Sequence, residues 1–307
     1  MRHLRIGTRG SLLARWQAES VRKQLFAATG DEAEIIIIRT EGDRNPAPLS
    51  AVGGKGIFIK ELEEALLAET IDLAVHSVKD VPTDVPSRLS FPAVCRRDDV
   101  RDCVIGAKGA KLADLRGGAR VGTSSLRRQA QVLRLRPDLD MRDLRGNVDT
   151  RLRKVESGEY EAVVLAKAGL DRLGLSQRIT EILDPRDFLP AVGQGAIAVE
   201  CRLADGEAND MAARLDHPET RNAIIAERAL LSALQGGCQV PLGAWARLER
   251  GELVMDACVC SRDGKHYIRQ AGCAAPDQAA ELGQHVARLL VEAGAQAILE
   301  EVSRARG

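Results

Sequence analysis

Through the first two hundred residues, short continuous apolar runs alternate with longer stretches whose apolar positions recur every three or four residues. Ile71-Asp72-Leu73-Ala74-Val75-His76 and Tyr160-Glu161-Ala162-Val163-Val164-Leu165 are apolar runs of the kind shown by strands covered on both faces. Two other segments echo each other. Arg5-Ile6-Gly7-Thr8-Arg9-Gly10-Ser11-Leu12 leads into a helical pattern reaching about Phe26. Arg120-Val121-Gly122-Thr123-Ser124-Ser125-Leu126-Arg127-Arg128 leads into another that ends before Pro137. Each reads as a short strand, a Gly-Thr turn, a Ser N-cap and a helix. The alternation predicts two α/β units with parallel sheets, joined by short crossovers and facing each other across a cleft. Linkers fall near 95–102 and 184–195, and the second is rich enough in Pro and Gly to return the chain to the first unit. From about His217 the texture changes to a helix over 219–234, strands around 244–248, 253–260 and 267–271, and a last helix. That is a small α+β domain with an antiparallel sheet.

A length of 307 residues suits two domains or three small ones. Hydrophobic residues at 45% and charged residues at 29% are ordinary for a soluble globular protein. Aromatics are only 3%, so Leu, Val, Ile and Ala must build the core. The opening MRHLRIGTRG has no apolar signal segment, and no apolar run approaches the ~20 residues of a membrane span, so a cytoplasmic chain is expected. The seven cysteines, at 95, 103, 201, 238, 258, 260 and 273, include no CxxC pair, the five histidines are scattered, and HExxH is absent. No metal site is expected. Cys258 and Cys260 alternate in an apolar strand and read as buried thiols on one face.

Charge changes the picture through its placement. The chain balances 44 basic against 44 acidic residues, and nine of the basic residues are Lys and thirty-five Arg. Residues 120–154 hold ten basic residues against four Asp. Arginine forks grip carboxylates or phosphates in bidentate fashion, so this segment points to a polyanion. Nucleic acid fits poorly, because sparse aromatics give little stacking surface and zero net charge is a weak electrostatic footprint. Arg9, Arg127 and Arg128 stand at the two strand-to-helix turns, where free backbone N–H groups and the helix dipole favour anions.

Other candidate residues follow the same logic. In His76-Ser77-Val78-Lys79-Asp80-Val81-Pro82 an apolar strand stops at Lys79 and Asp80, and strand carboxyl ends border ligand crevices in α/β sheets. Asp80 suits an acid/base or a counterion for a developing cation, and equally a turn cap paired with Lys79. Arg145 and Arg151 flank a turn in which Gly146 and Asn147 let backbone approach a ligand closely, and Arg172 follows a strand end. Gly53-Gly54-Lys55-Gly56 lacks GxxxxGK[ST] spacing, which excludes a nucleotide P-loop and leaves a Gly-rich loop closing over a cleft. Gly236-Gly237-Cys238 leaves one thiol sterically open, suited to a nucleophile or covalent attachment, though a lone Cys also serves as a small hydrophobe.

In order, GTRGSLLARWQ, GGKGIFIKELE, HSVKDVP, VGTSSLRRQAQ, RGNVDTRL, LAKAGLDRLGL and GGCQVPLG resemble the porphobilinogen deaminase (hydroxymethylbilane synthase) family over essentially the whole chain. The resemblance implies three domains: 1–97 plus about 194–214, then 98–193, then 215–307. The first two would be α/β domains like type II periplasmic binding proteins flanking a cleft, and the third a small α+β domain with a three-stranded antiparallel sheet. It implies a transferase of porphyrin and heme biosynthesis. Such an enzyme joins four porphobilinogen molecules head to tail, releases ammonia at each step, and frees the linear tetrapyrrole hydroxymethylbilane by hydrolysis.

Further implications concern single residues. A dipyrromethane cofactor would be held by a thioether to Cys238, with Asp80 assisting deamination and stabilising azafulvene cations beside Lys79 and Arg9. Cofactor contacts would come from Lys79, Asp80, Ser125, Arg127, Arg128, Arg145 and Gly146. Substrate contacts would come from Arg9, Ser11, Lys55, Arg145, Arg151 and Arg172. Ala51 stands where the resemblance leads one to expect a basic residue in some relatives, and Asp149 where it leads one to expect a small neutral one; both bear on loop contacts. The expected partner is porphobilinogen alone, without nucleic acid, membrane or metal, for a monomer that hands its product to the next enzyme. A noncatalytic anion-binding effector domain of the same two-lobed fold would give Asp80 and Cys238 no task.

Overall fold

A computed structural model describes residues 3–40, 59–234 and 240–304. The chain divides into two compact units, Met1–Asp98 with Gly195–Arg221 and Asp99–Gln194 with Asn222–Gly307. The first opens with strand β1 (Leu4–Arg9), helix α1 (Leu12–Thr29), β2 (Ala33–Ile38), α2 (Lys60–Leu67), β3 (Leu73–Ser77) and β4 (Leu89–Val94). The second begins with β5 (Asp102–Gly106), β6 (Arg120–Gly122), α3 (Leu126–Leu135) and β7 (Asp140–Arg142). It continues with α4 (Val148–Glu156), β8 (Ala162–Ala166), α5 (Lys167–Arg172) and β9 (Glu181–Ile182). The chain re-enters the first unit as β10 (Ile197–Arg202) and α6 (Gly206–Ala213), and α7 (Pro218–Ala233) leads out again. Strands β11 (Leu242–Glu249), β12 (Glu252–Cys260) and β13 (Tyr267–Ala274) with helices α8 (Ala279–Glu292) and α9 (Ala295–Arg304) complete the second unit.

One sheet plan occurs twice. The strand orders are β2-β1-β3-β10-β4 and β7-β6-β8-β5-β9. In the first sheet β1 runs parallel to β2 and β3, and in the second β6 runs parallel to β7 and β8. Strand β10 is antiparallel to β3, as β5 is antiparallel to β8. The echo between the two Gly-Thr turns therefore marks a repeated structural unit. The expectation of parallel sheets needs correction, because both sheets are mixed. Only the strands joined by helical crossovers are bound to run parallel. A strand arriving from another part of the chain can enter in either direction. A buried apolar run reads the same both ways, so the pattern could not tell them apart.

Helices on both faces explain those continuous runs. Ala18, Val21 and Leu25 of α1 and Ala208, Met211 and Ala212 of α6 share one cluster with Leu73, Val75, Ile197 and Val199. Leu62 and Leu66 of α2 form another with Ile71, Ala74 and Leu89. The three-stranded sheet β11-β12-β13 is wholly antiparallel, and its Leu253, Met255, Ala257 and Val259 alternate onto the helices, packing with Leu230, Leu282 and Val286. Cys258 and Cys260 take the opposite face and are fully buried, as predicted, and burial pushes the Cys260 thiol up to about 12. No described helix is long and apolar enough to cross a membrane.

Candidate functional site

In the first unit the candidate residues gather at the carboxyl edge of β1 and β3. The parallel register pairs Ile6 with Leu73 and Gly7 with Ala74, so Arg9, closing β1, stands level with the end of β3. Ser11 is the α1 N-cap, and its Oγ accepts from Ala14 N at 3.2 Å while buried Thr8 donates to the Ala14 carbonyl at 3.0 Å. Strand β3 ends in a single 3-10 turn over Val78–Asp80, closed by Val81 N donating to Val78 O at 3.0 Å. Pro82 has no N–H to extend it. The turn is tied down from three sides. Val78 N donates to Ala196 O at 3.0 Å, Gln17 of α1 donates to Ser77 Oγ at 2.8 Å, and His76 Nε2 lies 2.9 Å from Glu200 Oε2 in the core below. Half-buried Asp80 caps nothing: its carboxylate makes no hydrogen bond or ion pair among the described residues. Lys79, beside it, is half-buried as well.

The second unit builds its edge on the same plan, with Ser125 as N-cap of α3 accepting from Arg128 N at 3.4 Å. Arg127 and Arg128, however, are only 4% and 6% exposed. Both turn back onto Asp102, the first residue of β5. Arg127 Nη1 donates to Asp102 Oδ2 at 2.6 Å and to Leu189 O at 2.7 Å. Arg128 Nε donates to Asp102 Oδ1 at 2.9 Å, and its Nη1 to Val164 O at 3.1 Å. Burial alone would raise the Asp102 carboxyl, but the two guanidinium charges overcome it and hold the group at about 2. Because this lies below the ordinary value near 3.9, the stabilisation is complete above about pH 4 and lost as pH falls toward 2. Unfolding free energies from urea titrations measured from pH 6 downward should drop through that window by about 2–3 kcal/mol, with a shallower slope in Asp102→Asn.

The remaining arginines separate clearly. Arg145 follows β7, is half-buried, and its guanidinium makes no hydrogen bond or ion pair among the described residues. Gly146 beside it has φ +107°, the left-handed region that favours glycine. Arg151 Nε donates to Gly146 O at 2.8 Å and so holds this turn. Arg172 closes α5 and is buried. Asp149 is paired with Arg153 at 3.3 Å. Much of the basic excess of residues 120–154 is likewise engaged locally: Arg120 with Glu161, Arg136 with Asp138, Arg142 with Asp140 and Lys154 with Glu159. The raw count therefore overstated the polyanion signal. Lys55, Ala51 and Cys238 lie outside the described residues.

Asp102, Gln131 and Gln194 escaped the sequence reading, although Asp102 opens the apolar run Cys103-Val104-Ile105, where a lone carboxylate demands a buried cation. Gln131, one helical turn after Arg127, was a weaker sign.

A family model described as "Porphobilinogen deaminase, dipyromethane cofactor binding domain" matches residues 4–210, and one described as "Porphobilinogen deaminase, C-terminal domain" matches residues 222–292. The porphobilinogen deaminase of Syntrophobacter fumaroxidans is 49% identical over 306 residues, covering 99% of each chain. That of Pelobacter propionicus is 48% identical over 303 residues, covering 98% of this chain and 97% of its own. Among solved structures, the methionine-binding protein MetQ aligns with a TM-score of 0.44 at 13% identity, covering 69% of this chain and 89% of that one.

Proposed function

The chain belongs to the porphobilinogen deaminase family, and on that premise we propose that it joins four porphobilinogen molecules head to tail, releasing ammonia at each step, and frees hydroxymethylbilane by hydrolysis. The observation that carries this reading within the molecule is Asp80, a half-buried carboxylate with no hydrogen-bond partner among the described residues, at a strand edge shared with Arg9. Such a group is available to a ligand. As the aminomethyl C–N bond of porphobilinogen breaks, positive charge grows on the pyrrole. The Asp80 carboxylate offsets it and accepts from the pyrrole N–H, with Lys79 and Arg9 alongside. The fixed 3-10 turn presents that charge without reorganisation.

The family carries a dipyrromethane cofactor, and the residues present suit a group bearing several carboxylates. Among the described residues Arg145 makes no ion pair, and Arg127 Nε is buried with no hydrogen-bond partner. We assign its covalent attachment to Cys238, and its contacts to Lys79, Asp80, Ser125, Arg127, Arg128, Arg145 and Gly146. When bound, the dipyrromethane supplies the free pyrrole α-carbon where growth starts. Arg9, Ser11, Lys55, Arg145, Arg151 and Arg172 meet substrate carboxylates. The three-domain division at 1–97 with about 194–214, 98–193 and 215–307 belongs to the same reading, supported by three separate sheets. So do a cytoplasmic monomer and delivery of its product to the enzyme that next consumes a linear tetrapyrrole.

The purified protein should exceed its sequence mass by two deaminated pyrrole units and release ammonia from porphobilinogen. A bare polypeptide mass in active protein would remove the covalent anchor, and absence of ammonia would remove the activity. Arginines that look alike in sequence should also part in kinetics. Arg145→Gln loses a charge-assisted contact, so kcat/KM should fall about 10–100-fold. Arg153→Gln, already paired with Asp149, should stay within about two-fold. Equal losses at both positions would contradict the assignment of Arg145.

A further inference from the structure

The buried cluster at the start of β5 contains more than the two arginines. Asp102 is fully buried. Its Oδ1 accepts from Arg128 Nε at 2.9 Å and Gln194 Nε2 at 3.1 Å, with Arg128 Nη2 at 2.7 Å, while its Oδ2 accepts from Arg127 Nη1 at 2.6 Å. Gln131 grips the backbone of Leu189 at both ends, donating to its carbonyl at 2.9 Å and accepting from its N–H at 2.8 Å. Leu189 O is also the second acceptor of Arg127 Nη1, and Gln194 also donates to Val100 O at 2.7 Å. Helix α3 thereby fastens both segments by which the chain enters and leaves this sheet, around 100–102 and 189–194.

One carboxylate faces two guanidinium groups, so the cluster keeps one net positive charge inside the protein. Every nitrogen of Arg128 has a protein partner. Arg127 Nη1 has two partners, whereas its Nε is buried and neither Nε nor Nη2, which share one edge, has a hydrogen-bond partner among the described residues. A buried donor left over after such thorough pairing carries a desolvation cost unless something binds it. Asp102 determines which edge is left over.

We propose that Asp102 is a positioning residue: it turns Arg127 and Arg128 so that the Nε edge of Arg127 meets a ligand carboxylate, and its charge weakens the pair's hold enough for a growing polyanion to shift and leave. This rests on the reading that the two arginines bind carboxylates of cofactor and substrate.

The test compares Asp102→Asn and Asp102→Glu with the parent by kcat, KM, salt dependence, melting temperature and intact mass quenched at steady state. Asp102→Asn should keep the parent's mass excess and lose on the order of ten-fold in kcat without a higher KM. More of it should carry additional pyrrole units, and because the uncompensated guanidinium is buried, added salt should restore little of its rate. Asp102→Glu keeps the charge but displaces the forks, so its kcat should fall about five-fold with the parent's salt response. Folded variants with kcat within about two-fold of the parent, no extra pyrrole mass and only a lower melting temperature would make Asp102 structural and overturn the proposal. Should Asp102→Asn fail to fold, Asp102→Glu decides by the same criteria. A parent with neither mass excess nor ammonia release would instead show that the underlying reading had failed.

Discussion

Asp80→Asn should lower kcat by about two to four orders of magnitude while the protein keeps its full cofactor-sized mass excess. The substitution is nearly isosteric, but a carboxamide has no charge to set against a developing pyrrole cation. Stability should hardly change, because the carboxylate makes no hydrogen bond or ion pair among the described residues and the 3-10 turn is closed by backbone and by Ser77, Gln17 and Ala196. We expect melting within about 0.5 kcal/mol of the parent's stability. That separates Asp80 from Asp102, where the same chemical change strips two buried guanidinium groups of their counterion. Rate, melting curve and intact mass on one preparation suffice. A variant turning over within a few-fold of the parent would end the catalytic assignment of Asp80.

Cys238→Ala should abolish both the mass excess and the turnover. Five of the six other cysteines are too buried to substitute. Of the six described cysteines, Cys95, Cys103, Cys201, Cys258 and Cys260 are buried, and only Cys273 is exposed. Burial raises the Cys103 and Cys260 thiols to about 12 and pushes Cys201 and Cys258 up as well, so the reactive thiolate is scarce at neutral pH. Cys273→Ala is the control, and it should keep both adduct and rate. An adduct that survives Cys238→Ala and disappears in Cys273→Ala would transfer the anchor to β13.

Much of this is written in the sequence itself. The Ser11 and Ser125 caps, the ends of β1, β3, β6 and β8, the alternation of β12 and the buried thiols at 258 and 260 all follow from local periodicity and capping chemistry. These depend on neighbours within a few residues, and the chain spells them out. Strand direction was not legible, because β5 and β10 are apolar on both faces and pair with strands up to 128 residues away, as Cys201 opposite Leu73 records.

The arginines show the same limit more sharply. The sequence by itself determined that forks cluster over residues 120–154 and that Asp80 ends a buried strand before a proline. It could not tell which forks are open. Arg145 and Arg153 are alike as letters, yet one guanidinium makes no ion pair among the described residues and the other is held by Asp149. Arg127 and Arg128 read as surface anion binders, yet folding closes both over Asp102 and leaves a single Nε edge. Local propensity is written within one helical turn or strand. Charge compensation is decided by whichever carboxylate the fold brings within 3 Å, and at Asp102 that partner came from 25 residues away.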